Sequence, residues 1–220
     1  IFPDGLVFLM PEADATPEPR SLADVFPPMQ EYVDMHLAIA PIDDRGANCA
    51  QEGKSAGSLR YAPQEVELAD ELTGGDYKPI KVGRKNMRLL SDAELAGELS
   101  VPLARVRRDS SGQFVLDADY IPPIVRIQSS ERLMVILRRL VDLLDDKSRQ
   151  IVRPKDLAAG TASGFSAEGI SNSWFLHCVN AGLTPLRHLL AGQSAHPEEL
   201  YKEMARLAGA LCTFGLASNP

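Results

Sequence analysis

The sequence predicts an α+β fold, with an antiparallel β-sandwich over residues 1–127 and a helical bundle over residues 128–220. Two observations carry this prediction. Before Gln128, apolar residues recur at every second position, as in segment 33–39, which is the period of half-buried strands. After Gln128, they recur with the helical period of about 3.6 residues. An apolar content of 45% over 220 residues can supply one large or two small domains and excludes a wholly disordered chain.

Short alternating runs bounded by Gly, Pro, Asp or Asn predict the other strands. The apolar residues of these runs are Val66 and Leu68, Ile80 and Val82, Met87 and Leu89, and Leu99, Val101 and Leu103. The alternation slips at Ala104, which predicts a β-bulge, and the turn residues at 109–112 predict a hairpin. Residues 11–28 and 43–58 are rich in Pro, Gly and acids, so we predict surface loops that form no core element.

A heptad seam predicts the first long helix. The seam consists of Leu133, Leu137, Leu140 and Leu144, and Lys147 falls on it near its end. Ser129 or Ser130 can cap the start of this helix. Such a seam fits packing inside a bundle of one chain, and it also fits packing between chains.

Two further helices follow. A Gly- and Ala-rich connection over 155–169 should lead into a helix that begins near Ser171 or Asn172. Because Pro185 has no N–H to donate, we predict that this helix breaks at Gly182 and restarts with Thr184 as its N-cap.

The last helix is predicted to begin at Pro197, with Glu198 and Glu199 in its first turn and His196 at its entry. Gly192 should end the helix before it. The residues predicted to face inward are Leu200, Met204, Leu207, Ala208 and Leu211.

No motif in the sequence carries a catalytic, cofactor-binding or metal-binding chemistry, so we expect none of these sites. There is no GxSxG elbow, phosphate loop or GxGxxG after a strand. His177 and His188 are eleven positions apart, which does not bring them into one metal sphere. An enzyme or small-molecule-binding regulatory domain remains the alternative, and it would require a pocket with convergent polar groups.

The net charge of −7 argues against binding to nucleic acid or to anionic membranes. The longest apolar run, 6–10, is too short to insert into a bilayer. The densest basic cluster is Arg105, Arg107 and Arg108, and alternation places the first two on one face of their strand and Arg108 on the other. The cluster is either a solvated strand face or a patch for a protein partner.

Several segments together resemble the TssK family, also called ImpJ or VasE, of type VI secretion baseplate proteins. The segments are IFPDGLVF at 1–8, LARVRRDSSGQFVLDADYIPP at 103–123, LLDDKS at 143–148, WFLHCVNAGLTPLRHLL at 174–190 and HPEELYKEMARLAGALCTF at 196–214. The last two, in this order, are the most specific.

This resemblance implies a structural role. The chain would be an internal fragment with a β-sandwich shoulder that lacks its N-terminal part, a helical neck and a C-terminal head outside the 220 residues. It would form a homotrimer, bind the TssF and TssG wedge proteins and reach the membrane complex of TssL and TssM through the head. The expected location is the bacterial cytoplasm, docked at the inner membrane. The leucine seam would then lie near a threefold axis.

Overall fold

A computed structural model of the protein describes residues 1–51, 55–151, 167–192 and 194–215. It confirms the α+β class, because antiparallel strands come first and helices follow. The chain divides into two compact units, Ile1–Pro123 and Ile124–Pro220. The boundary predicted between 127 and 128 stays a prediction.

The first unit contains two antiparallel sheets, one of four strands in the order β4-β1-β5-β6 and one of two strands, β2 and β3. The strands are β1 (Tyr32–Ile39), β2 (Tyr61–Ala69), β3 (Tyr77–Lys85), β4 (Arg88–Ser91), β5 (Leu99–Arg108) and β6 (Phe114–Leu116). β1 is central in the larger sheet and is bonded to β4 and β5.

The predicted bulge is confirmed in β5. Met35 pairs with Ala104 and His36 pairs with Pro102, so Leu103 is the extra residue. The predicted hairpin is also present, since Asp109 N donates to Gln113 O at 2.9 Å. In β5, the slip in the apolar alternation therefore located the register change to within one residue.

One face of the four-stranded sheet forms the core of this unit. β1 contributes Val33, Met35, Leu37 and Ile39, which alternate along the strand and are all buried. The residues that pack over these positions come from outside the strands as well, and include Phe2, Leu6, Phe8, Met10, Leu22 and Phe26.

The prediction that residues 11–28 form no core element is wrong. A short helix, α1 (Leu22–Val25), lies in this segment, and Phe26 is only 4% exposed. Leu22 and Phe26 are four positions apart, which places both on one side of a helical turn. Composition alone predicted a loop because the prolines and acids outnumber these two apolar side chains.

The β2–β3 hairpin departs from the prediction of half-buried strands. β3 is exposed from Tyr77 through Arg84, and most of β2 is exposed or only partly buried. The period of two identified the strands and their apolar face correctly. It does not report whether another element covers that face.

The second unit contains three helices, α2 (Glu131–Ile151), α3 (Ala167–Ala191) and α4 (Pro197–Cys212). The predicted cap at Ser130 is confirmed, because its Oγ accepts a hydrogen bond from Leu133 N at 3.3 Å. His196, predicted at the entry of the last helix, lies at its N-cap, and its Nδ1 accepts a hydrogen bond from Glu198 N at 3.2 Å.

The predicted break at Gly182 is wrong, because α3 runs without interruption through Pro185. Buried side chains lie on both sides of the proline, including Val179 at 1% and Leu186 at 0% exposure. Each buried side chain of this size contributes about 1.5–3 kcal/mol, which together outweigh the cost of about 3 kcal/mol for an internal proline. Thr184 is not an N-cap, since its Oγ1 donates to Asn180 O at 3.1 Å within the helix.

Two smaller predictions about the helices also need correction. α3 begins at Ala167, so residues 167–169 are helical rather than part of a connection, while 155–166 lie outside the described residues. Ala208 is exposed, although it was predicted to face inward. The buried residues of the helical core are Ile127, Met134, Leu137, Val141, Leu144, Val179, Leu183, Leu186, Leu189, Leu200 and Leu207.

Candidate protein-interaction surfaces

Arg105 of the predicted basic cluster is held by its own chain. It lies directly across from Asp34 in the β1–β5 ladder. Its Nε donates to Asp34 Oδ1 at 2.7 Å and its Nη2 donates to Oδ2 at 3.0 Å, a bidentate pair. Its guanidinium also lies 4.0 Å from the ring centre of Tyr32 and 5.2 Å from that of Tyr120.

The ion pair shifts the titration of both partners in favour of their charged forms. The hydrogen bonds from Arg105 hold the pKa of Asp34 below its usual value, and the same bonds raise the pKa of Arg105. Burial, followed by the charge of Asp34, raises the pKa of Tyr120. The pair is therefore intact at neutral pH, and it positions two aromatic rings on the sheet surface.

The other two arginines lie on opposite faces of β5, as alternation predicts. Arg107 pairs with Tyr32 in the register and is exposed on the same face as Arg105. Arg108 turns to the core side, where its guanidinium lies 5.0 Å from the Phe26 ring centre and 5.3 Å from that of Phe114. The cluster thus presents two exposed arginines, Arg107 and Arg108, on opposite faces of β5 beside the partly buried Arg105, and its role as a partner patch stays a prediction.

The leucine seam of α2 lies in the helical core of its own chain. Leu137 is 0% and Leu144 is 6% exposed, and both pack with buried residues of α3 and α4. Leu133 and Leu140 are partly buried against the same cluster. Lys147 is exposed. Packing inside the bundle accounts for these positions, and a contact between chains stays a prediction.

The exposed β2–β3 hairpin was not singled out from the sequence as a functional surface, although a signal was present. Residues 61–77 contain five acids and no Lys or Arg, while residues 78–85 contain four Lys or Arg and no acid. Leu72 in the connecting turn is 97% exposed. A separation of charge combined with exposed apolar residues is typical of a contact surface.

An open groove of about 580 Å³ lies between α3 and α4. Its lining consists of Ser171, Trp174, Cys178, Ala210, Thr213 and Phe214. The polar side-chain groups of these residues are two hydroxyls, one thiol and the indole N–H of Trp174, so the groove offers no charged group to orient a ligand.

Within the described ranges, no three His, Cys, Asp or Glu side chains lie close enough together to hold a metal ion. Of the helices in the described part of the chain, none has the length and apolar character needed to cross a bilayer.

The whole chain, residues 1–220, matches the family model described as bacterial type VI secretion, with the member names EvfL, ImpJ and VasE. It is also 30% identical over 217 residues to the type VI secretion system baseplate component TssK1 of Pseudomonas aeruginosa, a match that covers 97% of this chain and 47% of that relative. The chain therefore spans about half the length of this curated relative.

Two solved structures are similar to this chain along nearly its entire length. The first, of a TssK–TssF–TssG baseplate subcomplex of the type VI secretion system, has a TM-score of 0.80 and 30% identity, and the match covers 99% of this chain and 68% of that chain. The second, described as the baseplate complex from the type VI secretion system, has a TM-score of 0.83 and 31% identity and covers 99% of this chain and 70% of that one.

Proposed function

The chain belongs to the VasE/ImpJ family of bacterial type VI secretion proteins, and on that premise we propose that it is a structural baseplate subunit that binds TssF and TssG. The observation that carries the proposal is the similarity to a chain of the TssK–TssF–TssG subcomplex over 99% of the present chain. Both the strand-containing unit and the helical unit take part in that match.

The finer proposal is a homotrimeric adaptor that links the wedge of TssF and TssG to the membrane complex of TssL and TssM. It would act in the bacterial cytoplasm, docked at the inner membrane. This proposal is supported by the resemblance of segments 174–190 and 196–214 to the TssK family. The first segment lies in α3, and the second contains α4. The link to the membrane complex would run through a head domain outside residues 1–220.

The surface chemistry of the strand-containing unit agrees with a binding role. Arg107 is an exposed cation beside the Arg105–Asp34 pair, and Tyr32 next to it is 49% exposed. Arginine and tyrosine are enriched where proteins bind each other. We propose this face as part of the contact with TssF or TssG. No specific observation favours the enzyme or small-molecule alternative.

A binding measurement tests the proposal. TssF and TssG from the same bacterium are immobilised together, and the whole natural protein is passed over them. We expect saturable binding that weakens about tenfold when Arg107→Glu reverses the exposed charge, since a lost interfacial charge pair is worth about 1.4 kcal/mol. Arg139→Glu, a reversal of an exposed arginine on α2, is the matched control and should leave binding unchanged.

The outcomes separate the two levels of the proposal. Absence of binding by the unsubstituted protein contradicts the baseplate function. Undiminished binding by Arg107→Glu contradicts only the assignment of this face.

A further inference from the structure

The β2–β3 hairpin is a two-stranded ribbon whose residues are exposed or only partly buried. Its strands pair over nine positions, from Tyr61 opposite Lys85 to Ala69 opposite Tyr77. Among the described residues, no third strand joins either edge, and one isolated bridge, between Cys49 and Tyr61, lies at the start of β2. A strand of this length extends about 30 Å, and a two-stranded sheet is only marginally stable in water by itself.

One face of the ribbon is apolar and positively charged. The register places Val66 opposite Ile80, Gln64 opposite Val82 and Leu68 opposite Lys78, all on the same side. We call this side the ribbon face; its members are Ala62, Gln64, Val66, Leu68, Lys78, Ile80, Val82 and Arg84. Leu68, Ile80 and Val82 are 46%, 45% and 37% exposed, and the two charged side chains of the face, Lys78 and Arg84, are basic.

The turn between the strands has the opposite character. It carries Asp70, Glu71 and Asp76, it has no basic residue, and Leu72 at its tip is 97% exposed. Leu72 N donates to Asp70 Oδ1 at 2.9 Å, and Gly74 N donates to Asp70 O at 2.7 Å. These bonds fix the tip in one shape, which lowers the entropic cost of docking it.

The edges of the ribbon are poor sites for a further strand. Pro63 in β2 and Pro79 in β3 have no N–H to donate to a neighbouring ladder. Prolines at edges are a common protection against sheet extension. The ribbon face, rather than an edge, is therefore the surface that another molecule can cover.

We infer that the turn of one copy of this chain docks on the ribbon face of the next copy. Leu72 would lie against Ile80 and Val82, and Glu71 of the turn would lie near Arg84, because Lys78 already pairs with Asp70 of its own hairpin at 3.7 Å. Each hairpin supplies both complementary surfaces, so the contact is heterologous and closes into a ring when the rotation between copies allows it. The inference deepens the proposed homotrimer, on which it rests, by naming the contact between its copies.

Cross-linking of the whole natural protein tests the contact directly. Two differently tagged versions are co-expressed, one with Leu72→Cys and one with Val82→Cys, and the mixture is oxidised. We expect a disulfide-linked dimer that contains both tags. Leu72→Cys combined with Glu65→Cys, on the opposite face of the ribbon, is the matched control and should give no more dimer than the unsubstituted protein with its three native cysteines.

A charge exchange provides a second test. Glu71→Lys and Arg84→Glu should each raise the dissociation constant of the oligomer at least tenfold in sedimentation velocity, and the double variant should recover assembly. Circular dichroism checks that each variant is folded.

Three outcomes would overturn the inference. If the unsubstituted protein is a monomer, the proposed homotrimer is contradicted, and so is this contact. A trimer that neither cross-links nor responds to the charge variants overturns this contact alone. A cross-link from Leu72→Cys to TssF or TssG, and not to a second copy, would show that the turn docks on one of these proteins instead of on another copy of this chain.

Discussion

Glu94 accepts hydrogen bonds from both Arg20 and Ser91, and it ties the proline-rich segment to the sheet. It accepts hydrogen bonds from Arg20 Nη1 at 2.8 Å, from Ser91 N at 3.0 Å and from Ser91 Oγ at 2.7 Å. The bonds from Arg20, followed by those from Ser91 against an opposing effect of burial, lower the pKa of Glu94 from 4.5 to about 2. A group with a depressed pKa stabilises the fold above its unfolded pKa and stops doing so as pH falls through the folded one.

We therefore expect Glu94→Gln to lower the free energy of unfolding by about 1 kcal/mol at pH 7, a value discounted because the side chain is 36% exposed. The loss should shrink as pH falls from about 4.5 towards about 2. Urea unfolding at pH 7 and at pH 3 measures this change. Glu31→Gln, at an exposed position before β1, is the control, and a loss independent of pH would contradict the account.

Two glycines in helices provide a test of close packing. A Cβ on Gly182 of α3 would lie 2.7 Å from Leu207 Cδ1, whereas a Cβ on Gly209 of α4 would meet nothing within 4 Å. Gly182→Ala should lower the free energy of unfolding by about 1–3 kcal/mol, because the buried Leu207 must move. Gly209→Ala should raise it by about 0.5–1 kcal/mol, since alanine favours the helix. Equal effects of the two substitutions in thermal unfolding would show that α3 and α4 are not in close contact here.

Among the elements, α2 was the most predictable from sequence and α3 the least. The seam of α2 and its Ser130 cap are local signals, and both appear in the structure. The continuity of α3 through Pro185 depends on side chains far away in sequence, such as Leu207, which packs against Gly182. The cost of a proline inside a helix can be estimated from the sequence. The burial of apolar side chains against other helices, which outweighs that cost in α3, cannot.

The seam of α2 carries a prediction of its own. Leu137 is 0% exposed, so Leu137→Ala should lower the free energy of unfolding by about 2–5 kcal/mol. Leu143, on the same helix, is 51% exposed, and Leu143→Ala should change the free energy of unfolding by no more than about 0.5 kcal/mol. Urea unfolding followed by circular dichroism measures both. If Leu137→Ala changed only the state of association and left the stability of the fold intact, the seam would be a contact between chains.

At the scale of the whole molecule, the family was accessible from sequence while the layout of its surfaces was not. Segment 103–123 carried part of the resemblance, and alternation assigned Arg107 and Arg108 to opposite faces. The pairing of Arg105 with Asp34 depends on the register between β1 and β5, which includes a bulge. The exposure of the β2–β3 hairpin depends on whether another element packs against it. The apolar alternation within its own strands does not determine this.

The native mass of the complex isolated from the source bacterium through a tag on TssF tests the proposed baseplate function. We expect a particle that contains the whole natural protein together with TssF and TssG, with this protein present in multiples of three. A TssF–TssG particle that forms without this protein, while the protein itself is recovered as a free monomer, would contradict the account.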